Sequence, residues 1–157
     1  MLLFQRDGIF QAFYIKQNIE YSVDSLIYGE NILRLILAVI LGMIVGFERE
    51  LAHKPAGLRT HMLVCLGSCL FTVISLEFAV DPARIASGIV AGIGFIGAGA
   101  IIAEPDRVVG ITTAASLWMT AAIGLTIGVG NYVLAAVAVL LAVLTLFSGA
   151  LFKKYIK

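Results

Sequence analysis

From Ile32 onwards the chain is written in long apolar blocks separated by short polar breaks. The blocks run from Ile32 to Phe47, His61 to Ala79, Ile85 to Ala103, Val108 to Val129 and Tyr132 to Phe152. The last three hold no charge over about 19 to 22 residues, close to the ~20 that a helix needs to cross a hydrocarbon core ~30 Å thick. The pattern predicts an all-α polytopic membrane protein with five transmembrane helices over residues 31–152. A basic tail, residues 153–157, follows the last helix. Residues 1–30 read differently, with Phe4, Ile9, Phe10, Phe13 and Tyr14 at roughly helical spacing among charges. They lack the layout of a signal peptide and predict an interfacial helix on the membrane surface or a loosely ordered external tail.

The stretch Ser87–Trp118 is expected to organise the bundle. Its first half carries Gly88, Gly92, Gly94, Gly97 and Gly99. In a soluble helix each would cost about 1 kcal/mol relative to alanine. In lipid the backbone has no water to turn to, so the helix persists and the glycines let a second helix approach closely. Gly42–Gly46 and Gly124–Gly128 repeat the GxxxG spacing of Gly88–Gly92, so a tight bundle is predicted, with a homodimer or higher oligomer as a further expectation.

Composition points the same way. Of 157 residues, 61% are hydrophobic and 13% charged, with a mean hydropathy of +1.02, against about 25% charged in soluble domains. A net charge of +1 gives no reason to expect nucleic acid as a partner. The expected surroundings are the lipid bilayer and other membrane proteins. Cys65 and Cys69 lie four apart in an apolar run and read as small packing residues, a turn apart and poorly placed for a disulfide. No internal repeat of the kind common in secondary transporters is visible.

An odd number of spans separates the termini. One face then holds Arg49, Lys54, Arg59, Arg107, Lys153, Lys154 and Lys157, and the other Arg6, Lys16, Arg34 and Arg84. The positive-inside rule places the first face, with the C-terminus, in the cytoplasm and the N-terminus outside. Arg34, one turn into its span, has the reach to snorkel to the headgroups.

Candidate chemistry gathers at the helix ends. Glu48 stands at a helix C-terminus, where the macrodipole favours cations, and so calls for a basic partner. Arg49 is adjacent on a helix and points elsewhere, which leaves Arg59 or Arg107. Glu48, Arg49 and Arg59 read either as an interfacial cluster that holds the loop down or as a functional site on the cytoplasmic face. Thr60 is a candidate N-cap for the second helix. Thr112, Thr113 and Ser116 open the fourth; they bond to helix backbone or across to a neighbouring helix or, on the alternative reading, coordinate an ion. His53 and His61 lack further ligands at metal spacing, and zinc is not expected. No carboxylate lies in the middle of a span, where ion-coupled transporters keep an ionisable residue, and no nucleophile–base pair points to an enzyme.

Four blocks in order, GFERE (46–50), AGLRT (56–60), SGIVAGIGFIGAGAII (87–102) and VVGITTAASLW (108–118), resemble the MgtC/SapB family of bacterial inner-membrane proteins. The likeness covers about residues 31 to 130. It departs at Val109, where the family pattern has a basic residue before the glycine, and Arg107 stands two residues earlier. Better-known members carry a soluble cytoplasmic domain after the fifth helix; this chain reads as a short form that ends at Lys157. The resemblance implies five membrane helices with the C-terminus inside, a link to magnesium limitation, and in pathogens survival inside host cells. It singles out Glu48, Arg49, Arg59, Thr60, Gly94, Gly97, Gly99, Thr112 and Thr113. The expected function is non-enzymatic, without cofactor, acting by modulating other membrane proteins. The rival is an oligomeric transporter or channel for Mg2+ or another cation, with magnesium as transported or sensed ion.

Overall fold

The computed structural model describes the backbone of residues 2–77 and 81–155, and the side chains of residues 27–76, 81 and 83–149. The elements are α1 (Leu2–Leu51), α2 (Leu58–Glu77), α3 (Pro82–Gly99), β1 (Ile102–Glu104), β2 (Arg107–Val109), α4 (Ile111–Gly128) and α5 (Tyr132–Tyr155). The chain divides into two compact units, Met1–Leu33 and Arg34–Lys157. The first is helical from Leu2 onwards as part of α1. The interfacial segment expected over residues 1–30 falls there, and its side chains up to residue 26 lie outside the described residues. So do the side chains of the basic tail and the predicted end of the second span at Ala79.

Four helices contain stretches long and apolar enough to cross a membrane: Ile27–Leu51, Leu58–Leu76, Ile111–Gly128 and Tyr132–Gly149. The fifth, α3, is apolar and 18 residues long, the same length as α4. Asp81 caps it, its Oδ1 accepting from the Ala83 N–H at 3.0 Å, and Pro82 follows in the first turn. Two predicted boundaries are corrected at its other end. Ala100–Ala103 do not continue the third span, and Val108 does not open the fourth. After a turn at Ala100–Ile101, Ile102–Glu104 and Arg107–Val109 form an antiparallel hairpin pairing Ile102 with Val109 and Glu104 with Arg107. The β-branched residues Ile101, Ile102, Val108 and Val109 suit extended backbone, and Pro105 cannot donate to a helix. Gly110 leaves the hairpin at φ 89°, where a side chain would run into the Ala100 carbonyl.

Within the second unit α4 is the central helix, packed on α2, α3 and α5. One core joins Ala38 and Val45 of α1, Cys65 and Cys69 of α2, Ile123 and Ile127 of α4, and Val139 of α5. A smaller one joins Ala56, Ile93, Leu117 and Ala121. Both cysteines are buried and free, as packing residues should be. Large apolar side chains face outwards all round: Phe95 is 84% exposed, Val133 78% and Leu63 68%. A surface of that kind is stable only in hydrocarbon.

The three GxxxG pairs behave differently. A Cβ added at Gly42 would stand 2.8 Å from the Cys65 Cβ, and one at Gly46 2.8 Å from the Leu58 Cα, so α2 lies directly on this pair. Gly124 likewise abuts the Cys65 carbonyl, and Gly128 the Thr72 Cβ at 2.5 Å. The glycines of α3 are the correction. Around Gly88, Gly92, Gly94 and Gly99 an added Cβ meets nothing within 4 Å, and at Gly97 it meets only Ala114 at 3.5 Å. Gly97 alone lies against a helix, α4, and the other four seat none among the described residues; the centre of packing is α4.

Candidate functional site

The six residues between α1 and α2 fold into a clasp. α1 ends with Lys54 N–H donating to the Arg49 carbonyl and His53 N–H to the Glu50 carbonyl, both at 3.0 Å. This is the Schellman pattern, with His53 at φ 52° where glycine is usual. Across the loop the Glu50 carboxylate accepts from the Leu58 N–H at 2.9 Å, Ala56 is buried beneath, and α2 begins. The expectation for Thr60 is thereby corrected: it lies inside the first turn, and the orphan N–H at the helix start is met by a carboxylate eight residues upstream.

Behind the clasp Glu48 and Arg49 are 6% and 3% exposed. They pair with each other, Arg49 Nε and Nη2 donating to the two carboxylate oxygens of Glu48. Neither expected partner takes part. Arg59 is exposed, and Arg107 bonds Glu104 at 2.6 Å across the hairpin turn. Adjacent helical residues diverge at their Cβ atoms, but a guanidinium on a long stem folds back when both charges are shut away from water. The fork then satisfies both oxygens at once.

His61 is the residue that sequence reasoning set aside. It is 0% exposed and lies beside Gly46. Its Nδ1 lies 2.9 Å from the Gly57 carbonyl and therefore carries a proton; its Nε2 lies 3.1 Å from Ser116 Oγ on α4. Ser116 Oγ in turn reaches the Thr113 carbonyl at 2.8 Å. With a neutral ring the serine hydroxyl donates to Nε2. With a protonated ring Nε2–H donates to the serine oxygen, whose own proton goes to Thr113. Both states satisfy every partner. The sequence signal available was position: His61 lies one helical repeat before Cys65 and two before Cys69, on the α2 face that the packing buries.

The remaining candidates lie along α4. Thr113, Ser116 and Thr120 are buried, and Thr120 Oγ1 donates to the Ser116 carbonyl at 2.8 Å, the backbone bonding expected of such hydroxyls. Thr112 is exposed on its helix and lines, with Ser116, Thr145 and apolar neighbours, a cavity of about 280 Å³. At the far end of α4, Arg34 turns inwards rather than to the headgroups. Its Nη1 donates to the Gly128 carbonyl at 2.8 Å, a cation on a helix C-terminus.

Apolar helices with buried, mutually bonded polar groups and an apolar exterior define a polytopic helical membrane protein. The chain belongs to the MgtC family, whose pattern matches residues 35–155. It is 47% identical over 114 residues to the "Putative magnesium transporter YhiD" of Escherichia coli (strain K12), covering 66% of this chain and 53% of that protein. It is 46% identical over 102 residues to Protein MgtC of Salmonella typhimurium (strain LT2), covering 64% and 44%. Protein SapB of Bacillus subtilis (strain 168) is 39% identical over 112 residues, covering 64% and 48%. The chain thus spans about half the length of these relatives. No solved structure matches it.

Proposed function

We propose that this chain is a non-enzymatic protein of the bacterial inner membrane, N-terminus outside and C-terminus in the cytoplasm. It supports adaptation to low magnesium by contact with other membrane proteins or its own copies. The observation that carries this reading is the state of the buried polar groups. Both Glu48 oxygens are held in the Arg49 fork, His61 Nε2 meets Ser116 Oγ, and the Ser116 and Thr120 hydroxyls reach backbone carbonyls of α4. A magnesium route needs oxygen ligands open to the ion, usually carboxylates with waters. The one observation that favours a transporter is the trio of hydroxyls, Thr112, Ser116 and Thr145, around the 280 Å³ cavity.

Purified protein in liposomes loaded with a magnesium-sensitive dye separates the two. The expected result is uptake no faster than in empty liposomes. Uptake that depends on protein and is lost in Thr112→Val would replace the modulator with a transporter.

A further inference from the structure

We propose that the groove between α2 and α3 binds an anionic phospholipid, its phosphate at Arg59 and an acyl chain along the glycine wall. The groove encloses about 1080 Å³ and is lined by Leu63, Gly67 and Phe71 on α2 and by Gly88, Gly92 and Ile93 on α3. A Cβ added at Gly67, Gly88 or Gly92 meets nothing within 4 Å. Among the described residues these glycines seat no other helix; their missing side chains hollow the wall. From Arg59 to Phe71 the groove follows α2 for about 18 Å at 1.5 Å per residue, the reach of a chain in one leaflet of a ~30 Å core.

Charge decides the occupant. Arg59 is exposed at the mouth of the groove, beside the Thr60 hydroxyl, and has no ion-pair partner among the described residues. The neighbouring acids are engaged: Glu48 with Arg49, and Glu50 with the Leu58 N–H. A free guanidinium at the polar edge of an apolar groove matches a phosphate diester by two parallel hydrogen bonds. Basic pockets between membrane helices select anionic headgroups in this way. The opposite mouth holds Arg84, where the adjoining lining residues, Phe71 and Ile85, offer no hydroxyl beside the guanidinium.

Native mass spectrometry of the full chain in mild detergent, with equimolar phosphatidylglycerol and phosphatidylcholine of identical acyl chains, tests this directly. Phosphatidylglycerol should be retained about five-fold over phosphatidylcholine. Arg59→Gln should bring the two to parity, and Arg84→Gln should leave the preference intact. Gly92→Trp should remove both lipids by filling the groove; Gly88→Phe reads the same point should that variant not fold. Equal retention by the unaltered protein overturns the proposal, as does a preference that survives Arg59→Gln or disappears in Arg84→Gln. A lipid-free dimer split by Gly92→Trp assigns the groove to a second copy and overturns it too. Lipid retention is read without any assay of magnesium, so its failure leaves the proposed function standing.

Discussion

At the scale of single residues the buried Glu48–Arg49 pair carries the sharpest energetic consequence. Removing one partner strands a desolvated charge, at about 3–5 kcal/mol, whereas replacing both can be nearly neutral. Glu48→Gln and Arg49→Gln should each lower thermal stability in detergent strongly, and the double variant should lose much less than the sum of the two. A thermal-shift series on the four proteins checks this, with additive losses arguing against the pair. Arg59→Gln belongs in the same series and should leave stability within about 0.5 kcal/mol, as surface substitutions usually do. Glu48 was identifiable from its place at a helix end. Its partner was not, because the choice of Arg49 over Arg59 or Arg107 depends on side-chain folding in a closed space.

At the scale of elements, identical spacing has two meanings. Gly42–Gly46 and Gly124–Gly128 hold α2 between α1 and α4, whereas Gly88–Gly92 lies open. Overpacking a closed contact costs typically 1–3 kcal/mol, and here the obstacles at Gly42 and Gly124 include backbone carbonyls of α2. Gly42→Leu and Gly124→Leu should therefore reduce the yield of folded protein sharply, while Gly92→Leu leaves it nearly unchanged. Yield and elution profile in detergent compare the three. A severe loss at Gly92 would mean that its open face is covered in the membrane. The hairpin is a second case of element-scale ambiguity. Ile101, Ile102, Val108 and Val109 are as apolar as their neighbours, and hydropathy alone ran them into the spans. Their β-branching was the available sign of extended backbone.

At the largest scale, α4 lies at the centre of the unit Arg34–Lys157 and its two ends are each tied to an earlier helix. His61 of α2 bonds Ser116 near one end, and Arg34 of α1 bonds the Gly128 carbonyl at the other. The charge distribution makes a topological prediction for the whole chain: seven Lys and Arg on one face against four on the other. A reporter fused after Lys157 should behave as cytoplasmic, and one inserted in the Glu77–Arg84 turn as external. Both on one side would mean that one of the five helices does not cross.

The sequence by itself determined the membrane class, the order of the helices and the approximate position of the breaks between them. Each follows from one-dimensional quantities: the length of an apolar run, the position of a charge, a proline or glycine at a break. The resemblance in four blocks, through Glu48, Arg59, the α3 glycines and Thr112–Thr113, was also legible in this way. Only the tertiary structure decided which glycines are in contact, which arginine meets Glu48, and that His61 bridges to Ser116. Those outcomes depend on which faces of α1, α2 and α4 are turned inwards. In a chain apolar on every side no hydrophobic stripe records that choice, and it is made by small residues, hydrogen bonds and the fit of one helix on the next.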